Sequence, residues 1–294
     1  MSKVGAYLEL TKPRLSGLAV FAVVAGGYMA WSPDAHPPLD VLLASTIGNF
    51  LVAGGANALN MSREHEYDAL MQRTAGRPVP SGRLTPGQAF AFGVIASIVG
   101  LVVQVVFNDQ LVSGLLAAGI SALILLSYVL VYTPMKRTTP LNTLVGAIPG
   151  ALPPVVGYAA VRGEVGFGAV VLFAILFCWQ IPHFLPIAWR YRDEYARGGF
   201  RMLPSFDADG QRTRLTMLLY VAGLGIASMI PFITGMAGQV YLGAAVCLDL
   251  FFFVPATIAA VTRLDSAMRM TFLASIVYLP LLLIVMVLDR QVPL

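Results

Sequence analysis

Long stretches almost free of charged side chains repeat along the whole chain. They lie at about 15–31, 40–60, 88–107, 111–132, 141–161, 166–189, 215–235, 241–261 and 271–288. Each is close to the roughly 20 apolar residues that a helix needs to cross a bilayer. Only 12% of the residues are charged, about half the share of a soluble domain. We therefore expect an all-α, polytopic membrane protein with nine transmembrane helices in one membrane-embedded domain, 1–294.

Basic residues are segregated between alternating links of this arrangement. The N-terminal tail and the links after spans 2, 4, 6 and 8 hold all of the 19 Lys and Arg residues except Arg162 and Arg290. The positive-inside rule then predicts a cytoplasmic N-terminus and a C-terminus outside. No Arg- and Ser-rich transit segment precedes the first span, so we expect a bacterial plasma (inner) membrane. The lipid bilayer is the expected surrounding, and no nucleic acid is expected as a partner.

The two longest polar links follow spans 2 and 6, four spans apart and on the same side. This layout predicts a parallel internal repeat, 1–140 and 141–265, followed by a ninth helix at 266–294. Together the two links would form a polar cap over the bundle.

The first polar link, 57–83, contains an amide and two carboxylates spaced four residues apart. Asn60, Glu64 and Asp68 would share one helix face over roughly 12 Å. Arg73 and Arg77 follow. Such oxygen ligands beside guanidinium groups suit a Mg²⁺–phosphate complex, because Mg²⁺ takes one or two carboxylates together with substrate phosphate. The alternative is a solvated helix face with ordinary i,i+4 pairs.

The link after span 6 holds a second group of candidates. Trp179 and His183 end the span, and Arg190 and Arg192 follow. A lone His at this depth is more often a hydrogen-bonded core residue than a ligand. Asp193 and Glu194 are adjacent on the predicted helix and point in different directions, so they form a weaker metal pair than the carboxylates of the first link.

Two further features each have two readings. Lys136 and Arg137, in the link after span 4, could hold a diphosphate or could simply anchor the link on the cytoplasmic side. Asp249 falls in the middle of span 8. A carboxylate within the membrane is a functional candidate by default, but it could equally be protonated or hydrogen-bonded to a neighbouring helix.

Four motifs, in this order, resemble a known family. They are N-x-x-N-x-x-x-E-x-x-x-D-x-x-M-x-R-T-x-x-R-P (57–78), Y-T-P-x-K-R-x-T-x-x-N (132–142), G-A-x-P-x-x-x-P-P-x-x-G-Y (146–158) and W-Q-I-P-H-F (179–184). The chain resembles the protohaem IX farnesyltransferases of the UbiA superfamily from about residue 10 to about 285. Glu64 stands where the superfamily more commonly has Asp. Met61, the residue after Asn60, also stands where the superfamily motif has Asp.

The resemblance implies helices around a central cavity, with catalysis at the cytoplasmic face. It implies that farnesyl diphosphate and haem b react with Mg²⁺ to give haem O, on the route to haem A, with a haem A synthase or a terminal oxidase as a possible protein partner. It carries specific roles over to matching positions. The metal ligands are Asn60, Glu64 and Asp68; the further catalytic residues are Arg73, Arg77, Lys136, Arg137, Asp193 and Tyr195; the haem-binding residues are His183, Arg190, Trp179 and Arg192.

Two rival functions stay open at this point. A prenyltransferase for another acceptor, such as a quinone precursor, would share the metal motif but not the sequence of the link after span 6. A membrane transporter would also have nine apolar spans, but it would not need an acidic and Arg-rich array on one surface link.

Overall fold

The computed structural model describes residues 3–32 and 38–291, without the side chains of residues 14 and 15. The named elements of this part are all helical, and nine of them form the bundle. They are α1 Pro13–Ala30, α2 Leu39–Asp68, α3 Pro86–Val106, α4 Leu111–Met135, α5 Asn142–Arg162, α6 Phe167–Arg190, α7 Gln211–Ile233, α8 Gln239–Thr262 and α9 Asp265–Leu288. A short helix, Lys3–Leu10, precedes α1, and the link between α6 and α7 contains Arg192–Arg197 and Leu203–Phe206.

The membrane architecture predicted from the sequence is confirmed in its main lines. Helices α2 to α9 are each long and apolar enough to cross a membrane, which makes eight candidate spans among the described residues. The apolar part of α1, Ser16–Ala30, is shorter than these eight. Its role as a ninth span therefore stays a prediction.

The outer surface of the bundle is apolar, as contact with lipid tails requires. Ile226, Ile233 and Val261 are exposed over 72, 74 and 75% of their surface, and many other large apolar side chains are similarly exposed. Monomeric soluble proteins rarely expose apolar patches on this scale. The fold is therefore built for a bilayer.

The links after α2, α4, α6 and α8 meet on one face of the bundle. Hydrogen bonds between them include Arg73 N to Glu194 Oε2 at 3.2 Å and Arg201 N to Lys136 O at 2.6 Å. At the start of α7, Arg214 Nη2 donates to Arg263 O at 3.1 Å. The cap of polar links that the sequence predicts is therefore present. We call this face the polar cap.

The remaining described links and the C-terminal end lie at the opposite face. There Asn108 Nδ2 donates to Ala160 O at 3.0 Å, and Gly238 N donates to Asp289 O at 2.9 Å. Arg162 and Arg290, the two basic residues outside the predicted cytoplasmic group, belong to this end of the helices. The separation of charge between two faces is thus a property of the fold. Which face meets the cytoplasm stays a prediction.

Glycine allows the helices to approach closely. A Cβ atom on Gly55 of α2 would lie 2.6 Å from Gly93 O of α3, and one on Gly157 of α5 would lie 1.8 Å from Val23 O of α1. Small residues bring helix backbones together in membranes, where lipid removes the hydrophobic drive for association. This packing sets α2 firmly in the bundle, and α2 carries the acidic residues of the first polar link.

The contacts between helices follow a regular pattern. Helix α2 contacts α3 and α5, while α6 contacts α7 and α9; likewise α4 contacts α5, and α8 contacts α9. Each pair in the first half corresponds to a pair four helices later, which is the relation that a parallel repeat would produce. The repeat and its boundaries stay predictions.

Candidate active site

The last three turns of α2 bring an amide and two carboxylates to one buried face below the polar cap. Asn60, Glu64 and Asp68 are exposed over only 1, 5 and 2% of their surface. Their spacing of four residues follows the helical repeat, so they stack along the helix as the sequence predicts. The helix ends at Asp68, whose carbonyl oxygen accepts a hydrogen bond from Thr74 Oγ1 at 2.7 Å. The alternative of a solvated helix face is wrong.

Only one carboxylate oxygen of Glu64 accepts hydrogen bonds from the described residues. Its Oε2 accepts hydrogen bonds from Asn60 Nδ2 at 2.8 Å and from Lys136 Nζ at 2.9 Å. Its Oε1 is buried without a hydrogen-bond partner among the described residues. A buried, unpartnered carboxylate oxygen is costly unless a ligand satisfies it.

The amide of Asn60 is oriented by its neighbours. Nδ2 donates to Glu64 and also to Thr133 Oγ1 at 3.1 Å. Both amide hydrogens are then used, which leaves Oδ1 as an acceptor for a cation. The described residues contain no cluster of three or more His, Cys, Asp and Glu side chains suited to a metal. A metal here would need this amide oxygen as well as the carboxylates.

Cations from two different links neutralise the acidic residues. Arg77 Nη1 lies 2.7 Å from Asp68 Oδ2, and Lys136 forms the second ion pair with Glu64. Burial alone would lower the pKa of Lys136, but the Glu64 carboxylate and the two nearby tyrosines raise it above its usual value. Lys136 therefore stays charged, and a further anion at this point would meet a fixed positive charge.

A turn of π-helix places the second wall of the site. Residues Ser127–Tyr132, inside α4, form i→i+5 hydrogen bonds, and Thr133 Oγ1 donates back to Tyr128 O at 2.8 Å. Such turns are frequent at functional sites. The ring of Tyr132 lies against Gly146, where a Cβ atom would come within 2.5 Å of it. Lys136 Nζ lies 4.8 Å from the centre of the same ring.

Lys12 belongs to this site although sequence reasoning did not select it. It joins Lys3–Leu10 to α1 with φ 46° and ψ 59°, a left-handed conformation that costs about 1–2 kcal/mol for a residue with a Cβ atom. The pKa of its amine is lowered to about 7, first by burial and then by the charges of Arg77 and Lys136. The carboxylates of Asp68 and Glu64 oppose this shift. An unusual backbone position thus brings a third basic side chain within electrostatic range of the acidic residues.

Replacing Lys12 by Met is expected to stabilise the protein and to weaken its binding of the diphosphate substrate that the family resemblance implies. Since the folded pKa lies near 7 and the usual value near 10.4, folding expels a proton between these pH values. Wild-type stability then rises with pH in this window. The variant should unfold at a higher temperature than wild type at pH 7, and the gap should close towards pH 10.5.

The KM for the implied diphosphate substrate should rise about tenfold in the variant, the effect of losing one charge-assisted contact. Thermal unfolding at several pH values and steady-state kinetics measure both effects. Lys3→Met is the matched control, because Lys3 is exposed on the same N-terminal helix. Equal pH dependence of stability in Lys12→Met and wild type would contradict the prediction.

Arg73 joins the two long polar links. Its backbone N–H donates to Glu194 Oε2, and its guanidinium donates to Tyr195 Oη at 2.9 Å. The guanidinium also lies 5.1 and 5.3 Å from the ring centres of Tyr191 and Tyr195. Asp193 is exposed. In this second link, Glu194 and Tyr195 contact the first link and Asp193 points away.

Arg137 diverges from its neighbour Lys136. Its guanidinium lies 3.8 Å from the ring centre of Tyr67 and donates to Tyr67 Oη. Tyr67 directly precedes Asp68 in α2. The two adjacent cations thus lie on different sides of this part of the site: Lys136 contacts the acidic face and Arg137 contacts the tyrosine beside it.

Two of the predicted haem-binding residues lie together between α6 and α9. The rings of Trp179 and His183 stack with centres 4.6 Å apart. Trp179 Nε1 donates to Ser275 O at 2.8 Å, and His183 Nδ1 lies 2.7 Å from Ser275 Oγ. Ser275 Oγ also donates to Phe272 O at 2.6 Å.

The other two predicted haem-binding residues lie at the end of α6. Arg190 is exposed and lies 5.6 Å from the ring centre of Tyr191. Arg192 lies 4.3 Å from the ring centre of Trp189, whose indole N–H donates to Asp265 Oδ1 at 2.7 Å. The structure therefore divides the four residues into two pairs, one inside the bundle and one on the polar cap.

Asp249 is hydrogen-bonded within the bundle. Its two oxygens accept hydrogen bonds from Tyr278 Oη of α9 at 2.6 Å and from Ser228 Oγ of α7 at 2.7 Å. Of the two interpretations that the sequence left open, the structure supports a carboxyl group that is hydrogen-bonded to neighbouring helices.

Comparison with known proteins places this site in a family. The profile of the UbiA prenyltransferase family matches residues 19–285. A "Protoheme IX farnesyltransferase" of Solibacter usitatus (strain Ellin6076) is 45% identical over 292 residues, covering 97% of this chain and 98% of that protein. The chain belongs to the UbiA prenyltransferase family. A second relative of the same name, from Opitutus terrae, is 41% identical over 98% of this chain and 96% of its own length.

Solved structures show the same UbiA fold. A digeranylgeranylglyceryl phosphate synthase superposes with a TM-score of 0.78 at 19% identity, over 98% of this chain and 99% of that chain. A UbiA homologue from Archaeoglobus fulgidus bound to DMAPP and Mg²⁺ gives 0.65 at 15% identity, over 95% and 99%. At these identities the likeness concerns the fold. The all-helical bundle of this chain superposes on these structures over nearly its whole length.

Proposed function

We propose that this UbiA prenyltransferase transfers a farnesyl group from farnesyl diphosphate to a vinyl group of haem b, giving haem O and diphosphate. The main structural support is that the buried carboxylate of Glu64 has one oxygen without a hydrogen-bond partner among the described residues. It shares its helix face with the oxygen donors Asn60 and Asp68, and the basic residues of the site are Lys136, Arg77 and Lys12. The acceptor follows the names of the relatives that are 37–45% identical over nearly the full chain.

The residues present fit a divalent metal ion. Asn60 Oδ1, Glu64 Oε1 and a carboxylate oxygen of Asp68 are hard oxygen donors, the type that Mg²⁺ takes together with substrate phosphate. Without a metal, Lys136 and Arg77 neutralise the two carboxylates. A bound Mg²⁺ would supply a counter-charge for the diphosphate. The replacement of the commoner Asp by Glu at position 64 keeps this charge.

Basic side chains of the protein would stabilise the charge of the leaving group. Lys136, Arg77 and Lys12 stabilise the negative charge that builds up on the diphosphate as the allylic C–O bond breaks. Tyr128 and Tyr132 face Lys136 with their rings, and an aromatic face also favours a nearby carbocation. The farnesyl cation then adds to the vinyl carbon, and water captures the resulting cation, so the product carries a hydroxyl group and one proton is released.

His183 is held in the tautomer that a haem iron ligand needs. The hydroxyl hydrogen of Ser275 is used on Phe272 O. Ser275 Oγ therefore accepts a hydrogen bond from His183 Nδ1–H, which leaves Nε2 with a free lone pair. Trp179 stacks on the imidazole ring and fixes its orientation. This arrangement supports His183 as the haem contact within the bundle.

The setting of the reaction follows from the charge distribution. We place the polar cap at the cytoplasmic face of a bacterial inner membrane, since it holds most of the basic residues. Haem O made there would be passed to the enzyme that completes haem A or to a terminal oxidase. A transfer to another acceptor, such as a quinone precursor, is the alternative function. A transporter is less well supported, because family membership and the buried acidic face both indicate prenyl transfer.

The decisive experiment uses purified protein in lipid vesicles. Given haem b, farnesyl diphosphate and Mg²⁺, the protein is expected to form haem O, detected by mass, and to release diphosphate. A chelator should abolish the product, and added Mg²⁺ should restore it. Diphosphate release with a quinone precursor but not with haem b would replace haem as the acceptor. Haem O formation in the presence of chelator would remove the metal from the proposal.

A further inference from the structure

A second cationic pocket opens on the polar cap, separate from the acidic face of α2. Its volume is about 400 Å³, within the range of small-molecule sites. The lining residues come from the link after α4 and the link after α6: Arg137, Ala196, Gly199, Phe200, Arg201, Ser205 and Phe206. The pocket thus combines an apolar wall with two guanidinium groups.

The two arginines are positioned but not neutralised. Arg137 rests on the ring of Tyr67, and Arg201 lies 5.1 Å from the ring centre of Phe206. One guanidinium nitrogen of each donates within the protein, to Tyr67 Oη and to Thr138 O. Neither arginine forms an ion pair with a carboxylate in the described part of the chain. Each guanidinium has five N–H donors, so both keep donors for a ligand.

The floor of the pocket is fixed by the backbone. Arg201 N donates to Lys136 O at 2.6 Å, and Asn142 Nδ2 donates to Arg201 O at 2.7 Å. These bonds tie Arg201 to the link that carries Arg137. The backbone of Arg201 is therefore fixed beside Arg137, and each guanidinium is held by an aromatic ring and one hydrogen bond. Such preorganisation favours recognition of a ligand with two anionic groups.

The pocket adjoins the proposed reaction site. Tyr67 contacts Arg137 and directly precedes Asp68, while Lys136 contacts Glu64. The two adjacent cations of one link therefore serve two anion sites, one on each side of Tyr67. A substrate anchored at Arg137 would have its carboxylate end on the cap, beside the place where the diphosphate is held.

We propose that Arg137 and Arg201 bind the two propionate groups of the haem acceptor. This inference rests on the proposed function and names the part of the acceptor that is recognised. Guanidinium groups pair with carboxylates through two parallel hydrogen bonds, which gives both affinity and orientation. The propionates lie on the edge of the porphyrin that is remote from the vinyl groups, so this anchor would orient the vinyl edge without touching the reacting carbon.

The test compares haem b with its dimethyl ester, which has the same ring and vinyl groups but no charged propionates. Binding to the full-length protein in nanodiscs is followed by the Soret band. Wild type should bind haem b at least about tenfold more tightly than the ester. Arg201→Gln and Arg137→Gln should each remove most of this preference. Arg212→Gln, at an exposed arginine in the first turn of α7, should behave as wild type.

Kinetics separate this pocket from the diphosphate site. Arg201→Gln should raise the KM for haem b about tenfold and leave the KM for farnesyl diphosphate unchanged. Equal wild-type affinity for acid and ester, or a preference that survives in both arginine variants, would overturn the inference while haem O formation still stands. Anionic phospholipid could instead compete for this pocket. If that lipid abolishes haem b binding by wild type but has no effect on the arginine variants, the pocket binds lipid phosphate. If wild type neither forms haem O nor binds haem, the result contradicts the proposed function itself, and not only this pocket assignment.

Discussion

Replacing Asp68 by Asn should reduce farnesyl transfer about 100- to 1,000-fold, the usual loss when one charge-stabilising group is removed from a reaction site. The amide is neutral and a weaker ligand for Mg²⁺ than a carboxylate. The Mg²⁺ concentration for half-maximal activity should rise as well. Arg77 is 24% exposed, so water can take over its solvation and the fold should tolerate the change. Steady-state rates across a Mg²⁺ titration measure both effects.

Glu66→Gln is the matched control for this variant. It removes one carboxylate charge from the same helix two residues away, and Glu66 is exposed. Its activity and Mg²⁺ dependence should equal those of wild type. Near-normal transfer by a folded Asp68→Asn protein would exclude Asp68 from the site, whatever the control shows.

The sequence predicts those parts of the site that depend on local periodicity. Asn60, Glu64 and Asp68 recur every four residues, so their common face follows from helix geometry alone. The apolar windows likewise predict the helix bounds to within four residues, except at the start of α9, which begins six residues before its window, and at the end of α2. A span must satisfy its own backbone in lipid, so a long apolar window predicts a helix. Helix α2 continues beyond its window to Asp68, and the buried acidic residues are the reason that the window ends early.

The parts that sequence reasoning missed depend on contacts between distant segments. Lys12 comes within electrostatic range of the acidic residues because the N-terminal helix packs against α2 and the link after it, and because the chain turns there with a positive φ. Lys136 contacts Glu64, 72 residues away in the chain, while Arg137 contacts Tyr67, 70 residues away. The partner of His183, Ser275, is 92 residues away in the chain. A single sequence contains no periodic signal for such pairs.

The Glu64–Lys136 ion pair would allow the proposed metal site to be stable without its metal ion. The two side chains are 6 and 12% exposed, so removing either partner leaves a buried charge, at a cost of about 3–5 kcal/mol. Lys136 occupies only Oε2 and leaves Oε1 open. A metal bound at Oε1 would share the Glu64 carboxylate with the ammonium group of Lys136.

Replacing Lys136 by Met should consequently have opposite effects on metal binding and on catalysis. In chelator the variant should lose about 3–5 kcal/mol of stability, because the Glu64 carboxylate stays buried without its cation. Added Mg²⁺ should raise its unfolding temperature more than that of wild type, since the metal becomes the only counter-charge and bound ligand stabilises the folded state. Farnesyl transfer should still fall about 100-fold, because the departing diphosphate loses its cation.

Thermal unfolding in chelator and in Mg²⁺, together with activity at saturating Mg²⁺, distinguishes these effects. The double variant Glu64→Gln/Lys136→Met should be more stable in chelator than Lys136→Met alone, because no unpaired charge remains. It should also lose the extra stabilisation by Mg²⁺. If Mg²⁺ stabilises wild type and Lys136→Met equally, Glu64 does not bind the metal, and the open oxygen at this position needs a different ligand. If Mg²⁺ rescues the fold but not the rate, the result supports the proposal that Lys136 acts on the diphosphate.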